Sequence, residues 1–72
     1  MDKYWKIENE ELGYIDSETF SSFEEAYIAT GEKCRRYGVI EYDAKTDEVL
    51  KRYPSYDLLM IRLDRLDKGL ES

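Results

Sequence analysis

The stretch SFEEAYIATGEKCRRYG, residues 22–38, decides how the rest of the chain is read. Phe23, Ala26, Tyr27, Thr30, Cys34 and Tyr37 recur at steps of three and four, which places all six on one stripe of a helix. Ser22 followed three residues later by Glu25 is a capping box, and Ser21 with Glu24 offers the same one position earlier. Glu24 and Glu25 fall at the positive end of the helix dipole, and Lys33, Arg35 and Arg36 fall near its negative end. Gly38 is placed to leave the helix in a left-handed conformation. Gly31 costs roughly 1 kcal/mol relative to alanine in a helix interior, yet the apolar stripe continues in phase beyond it. The expectation is one helix over 22–38, bent at Gly31.

On both sides of this helix the pattern changes to that of strands. Tyr4 to Glu8 alternates, with Trp5 and Ile7 on one side and Tyr4, Lys6 and Glu8 on the other, and Trp5 is the expected core anchor. Asn9-Glu10-Glu11 reads as a turn, and Leu12 to Asp16 as a short returning strand that Gly13 weakens. Val39–Tyr42 and Glu48–Tyr53 are β-rich runs separated by Asp43 to Asp47, a hairpin loop built on a type I turn with Asp47 in the left-handed position. Pairing Ile40 with Leu50 and pairing Tyr42 with Val49 differ by one residue, which reverses the exposed face.

Pro54 ends the hairpin and Ser55 is placed to cap a second helix running to about Lys68, with Gly69 as its stop. Leu59, Leu63, Leu66 and Leu70 form its expected inward stripe; Leu58, Met60 and Ile61 fall off that stripe. The expected architecture is a single compact α+β domain over residues 1–72, of order β-β-α-β-β-α, with a small antiparallel sheet and two helices packed on one face.

A chain of 72 residues has a thin core, because a domain of about this size buries only about 60% of the surface its unfolded chain exposes. The single cysteine, Cys34, cannot form an intrachain disulfide, so a reducing cytoplasmic setting is expected. Neither an apolar run ahead of a small-residue cleavage site nor a membrane-length apolar segment occurs.

Chemistry is constrained as strongly. The chain has no histidine, which removes the commonest general base and metal ligand. Asp43 to Glu48 is too short for a calcium loop and carries Lys45 where a ligand belongs. The four glycines are scattered singly, so no phosphate-cradling loop exists. No catalytic residue, metal or cofactor is expected. Cys34 is read as a small core residue on the helix stripe, with a redox-sensitive thiol or small-enzyme role encouraged by Lys33, Arg35 and Arg36 as the alternative.

Two surfaces remain as candidates. Residues 1–32 hold nine acids against Lys3 and Lys6, within a chain of net charge −6, which argues against direct binding to nucleic acid. Glu8, Glu10, Glu11, Asp16, Glu18, Glu24 and Glu25 are the candidate acidic face. Leu58, Met60 and Ile61, with Tyr4, Tyr42 and Tyr53 on the sheet face away from the helices, are the candidate apolar and aromatic contacts. These surfaces give two functional expectations. The first is a non-enzymatic protein-binding module, an adaptor or inhibitor. The second is an acidic nucleic-acid mimic that blocks a basic nucleic-acid-binding protein. The expected partners are another protein or a second copy joined through residues 58–61, without nucleic acid or membrane.

Overall fold

The computed structural model describes residues 2–33 and 35–69. Six elements follow one another: β1 (Lys3–Asn9), β2 (Tyr14–Ile15), α1 (Phe23–Gly31), β3 (Tyr37–Asp43), β4 (Val49–Tyr53) and α2 (Ser55–Asp67). The fold is α+β, a four-stranded antiparallel sheet with two helices, and its strand order is β2-β1-β3-β4. The central pair is β1 with β3, in unbroken register from Lys3 opposite Asp43 to Asn9 opposite Tyr37. Alternation puts Ile7 on the same side as Val39 and Tyr37, and there they meet Ala26 and Tyr27 of α1 and Leu58 of α2 in one buried cluster. Both helices therefore lie on one face. Trp5 joins the edge of this cluster, as expected of an anchor, and exchanges backbone hydrogen bonds with Phe20.

The first turn of α1 keeps the expected cap but only half of the expected capping box, because the reciprocal bond goes to Ser21 and not to Ser22. Ser22 is the N-cap, and its hydroxyl accepts the Glu25 backbone N–H at 3.2 Å. The Glu25 carboxylate reaches back to Ser21, accepting from its N–H at 3.2 Å and its hydroxyl at 2.9 Å. The far end differs from the expected 22–38 span. Helix α1 stops at Gly31, with Glu32 as its C-cap, and Tyr37 belongs to β3. Tyr37 reaches the core from a strand rather than from a fourth helical turn. Its partner Asn9 lies 28 residues away, and the ladder continues with the Glu10 N–H donating to Arg36 O at 3.0 Å. Non-local pairing of this kind satisfies a whole row of backbone groups, which two further helical turns against solvent would not. The role expected of Cys34 lies outside the described residues.

Gly38 also differs from its expected role, since it sits within β3 and not at a helix end. What requires glycine there is crowding: a Cβ would lie 2.7 Å from Tyr53 O and 2.9 Å from Glu10 Oε2. Asp47, by contrast, adopts the left-handed conformation read from the sequence, at φ 60°. In the same loop Asp43 Oδ1 accepts the backbone N–H groups of Lys45 and Thr46. The hairpin pairs Tyr42 with Val49 but Ile40 with Arg52, so Leu50 is an extra residue at a bulge and the Ile40–Leu50 pairing does not occur.

Candidate interaction surface on helix α2

Helix α2 begins immediately after Pro54, whose side chain offers it no cap. Ser55, expected as the cap, is instead the first helical residue. Its backbone N–H donates to Glu10 Oε2 at 2.7 Å and its hydroxyl to Glu10 Oε1 at 2.6 Å. A carboxylate from the β1–β2 turn thus satisfies an orphan donor at the positive end of the helix. The other end is as expected, with Gly69 at φ 72° just beyond Lys68.

Between these ends the helix is rotated away from the expected orientation. Leu58 is buried, 5% exposed, and Ile61 packs against the core. One and two turns on, Arg62 and Arg65 face α1: their guanidinium carbons stand 5.2 and 4.6 Å from the centre of the Tyr27 ring. Arg62 Nε donates to the Tyr27 hydroxyl at 3.3 Å, and Arg65 donates to both Glu24 oxygens at 2.6 and 2.9 Å. Those bonds hold the Glu24 carboxyl below its ordinary pKa; the Arg65 charge adds to the effect, and partial burial opposes it.

Positions 58, 61, 62 and 65 form an inward helical stripe, so the leucines expected inward point out. Tyr56 is 67% exposed, Leu59 51%, Met60 49%, Leu63 51% and Leu66 47%. Of the three α2 residues expected as contacts, Met60 alone is on this surface; Leu58 and Ile61 serve the core. Leu70, expected to extend the leucine stripe, lies outside the described residues. Five large apolar side chains gathered on one face of a 13-residue helix exceed the scattered exposure that needs no explanation. The signal for this surface was in the sequence. Tyr56, Leu59, Leu63 and Leu66 are spaced three, four and three apart, the seam of a helix that meets another helix. What masked it is that the inward stripe includes two arginines.

The two flanks of the exposed stripe differ in charge. Asp57, Asp64 and Asp67 lie along one side, with Lys68 paired to Asp64 at 3.1 Å. Along the other, Leu59 and Arg62 share a cleft of about 180 Å³ with Lys33, Arg35 and Arg36 from the segment after α1.

The acids of the candidate acidic face are dispersed and largely engaged within the fold. Glu8 pairs with Arg52 at 3.1 Å on the open side of the sheet, Glu11 with Arg35 at 3.2 Å, and Asp16 with Lys33 at 3.9 Å. Glu10 caps α2 and Glu24 holds Arg65. Glu18 and Glu25 are brought together, with Glu32 and the base Lys33, around a cavity of about 420 Å³ that Phe20, Ile28 and Ala29 also line. Among the tyrosines, Tyr4 and Tyr42 stack in parallel at 4.9 Å on the open face, and the Tyr4 hydroxyl donates to Asp47 at 2.8 Å. That bond, helped by burial and the Asp47 charge, pushes the Tyr4 pKa up to about 12. Tyr53, expected beside them, turns to the helix side and packs on Phe23 at 4.8 Å. Opposite Val39 in the ladder, it inherits Val39's face.

Among the described residues no group of three Asp, Glu, His or Cys side chains is placed to hold a metal ion, and no helix is long and apolar enough to cross a membrane. No family model matches this chain, and no curated protein or solved structure matches it.

Proposed function

We propose that this chain is a small non-enzymatic protein-binding module whose docking face is the outward side of α2. The observation that carries the reading is the exposure of Tyr56, Leu59, Met60, Leu63 and Leu66 together on a helix held by Glu10 at its start and by Glu24 through Arg65. A pre-positioned apolar helix face loses little ordering entropy on docking, and aromatic and methionine side chains suit the centre of an interface. The nucleic-acid-mimic reading draws less support, because six of its seven acids are already engaged, with Arg52, Ser55, Arg35, Lys33, Arg65 and Ser21. Carboxylates held in internal pairs contribute little to a continuous negative face.

The double substitution Leu59→Glu with Leu63→Glu tests the proposal. The variant is expected to fold, by circular dichroism and thermal melting, while losing every association, with itself or with protein captured from the source cell, that the wild type makes. Wild-type protein that retains no partner and stays monomeric up to about 1 mM, the weak limit of specific binding, overturns the reading. So does binding that survives the substitution.

A further inference from the structure

We infer that the occupant of the α2 face is a second copy of this chain, the two α2 helices lying side by side and parallel about a two-fold axis that runs along them. The inference rests on the reading of α2 as a docking face and adds to it the partner and the geometry. The spacing of Tyr56, Leu59, Leu63 and Leu66 is that of a seam that interdigitates with a like seam. The charges on the flanks then select the orientation.

Two helices facing each other are related by one of two kinds of two-fold axis. An axis across the helices makes them antiparallel and brings each flank against its own kind. An axis along them makes them parallel and brings each flank against the opposite one. Here one flank carries Asp57, Asp64 and Asp67; the other is the border of the inward stripe, where Arg62, its Nε held by the Tyr27 hydroxyl, still lines the cleft beside Leu59, with Arg36 in the same cleft. Among the described residues no carboxylate pairs with Arg36 or Arg62, and no base pairs with Asp57 or Asp67. Antiparallel packing leaves acid against acid and base against base. Parallel packing sets Arg62 of one copy near Asp67 of the other, five residues further along, which is the offset at which flanking charges pair across a parallel two-helix seam. A chain of net charge −6 repels its own copies at long range, so self-association requires local complementarity of this kind. The parallel arrangement supplies it twice per dimer.

Sedimentation equilibrium of the full chain, combined with disulfide trapping in a Cys34→Ser background, tests the inference. A monomer–dimer equilibrium is expected. Asp67→Lys and Arg36→Glu, checked for folding by circular dichroism, should each weaken the dimer about tenfold, because symmetry doubles every substitution. Leu66→Cys should cross-link to its own copy under oxidised glutathione, and so should Tyr56→Cys in a separate variant. A dimer in which neither position links to itself, but position 56 links to position 66, overturns the parallel geometry. A dimer indifferent to both charge reversals overturns the role given to the flanks. A monomer that captures a foreign protein through Leu59 and Leu63 overturns the second copy as occupant while leaving the docking face standing; a monomer that captures nothing overturns both.

Discussion

Helices α1 and α2 pack on the same face of the same sheet, yet only α1 turns its expected side inward. Helix α1 buries Ala26, Tyr27 and Thr30, as its three-and-four spacing indicates. Helix α2 buries Leu58 and leaves Leu59, Leu63 and Leu66 about half exposed. The difference lies in what holds each helix. Helix α1 is positioned by small and aromatic groups that fit the sheet, whereas α2 is pinned at its start by Glu10 and at its end by Arg62 and Arg65 against Tyr27 and Glu24. An arginine stem can cover an aromatic ring while its head finds a carboxylate, so a charged residue can be the better inward neighbour. Counting leucines therefore misjudges which way a helix faces when a tyrosine lies opposite.

Tyr27 is the largest fully buried side chain, and it touches both helices. Tyr27→Ala should cost about 3–5 kcal/mol, the range for removing a buried aromatic ring. Leu63→Ala, read at a concentration too low for self-association, should shift stability by no more than about 0.5 kcal/mol. Urea unfolding of both variants compares the two helices directly. If Leu63→Ala proves the more damaging, α2 carries its leucines inward and the two helices do not differ in this way.

How much was legible follows from how far away the deciding partner lay. The alternation of β1, the hairpin, the left-handed Asp47 and the Gly69 stop are all set by neighbours within a few residues, and all were read from sequence. The end of α1 was misread because Thr30, Cys34 and Tyr37 kept the helical period while Asn9, far along the chain, claimed Tyr37 for a strand. The acids of residues 8–25 looked like one charged face because a linear count cannot see Arg52, Ser55 or Arg65 approaching them. The α2 surface is half legible: its residues are too apolar for one stripe, but the leucine spacing points inward while Leu59, Leu63 and Leu66 face out.

A medium-sized effect is expected where the sheet grips the start of α2. Gly38→Ala should cost about 1–3 kcal/mol, the usual range for overpacking, because backbone Tyr53 O cannot retreat from a Cβ at 2.7 Å. Glu10→Ala should cost about 1 kcal/mol, the worth of a typical N-cap, and should raise amide exchange in the first turn of α2 while leaving α1 unchanged. Faster exchange in both helices alike would show that α2 has no anchor of its own. Combining the substitutions sharpens the point. The alanine methyl at position 38 would crowd the Glu10 carboxylate at 2.9 Å, so Glu10→Ala should relieve part of the Gly38→Ala penalty and the two costs should add to less than their sum.

The smallest expected effect is at the other end of α2, where acid should loosen its tie to α1. The Glu24 carboxyl titrates below its ordinary value, chiefly because Arg65 donates hydrogen bonds to it. A group whose folded pKa is depressed stabilises the fold above its unfolded pKa of about 4.3 and loses that contribution as pH falls through the folded value. Glu24 is about half exposed, so solvent screens the pair and a contribution of about 0.5 kcal/mol is the right order. Wild type and Glu24→Gln should therefore differ in melting temperature near neutral pH and converge in acid, once Glu24 is protonated in both the folded and unfolded chain. Adding salt at neutral pH should narrow the same gap. A gap that stays constant, or widens, as the solution is acidified would mean that Glu24 does not act through its charge. In that case Leu58 and Ile61, with the Arg62 stem on Tyr27, would set the rotation of α2 alone, and the outward leucines would follow from packing without help from the ion pair.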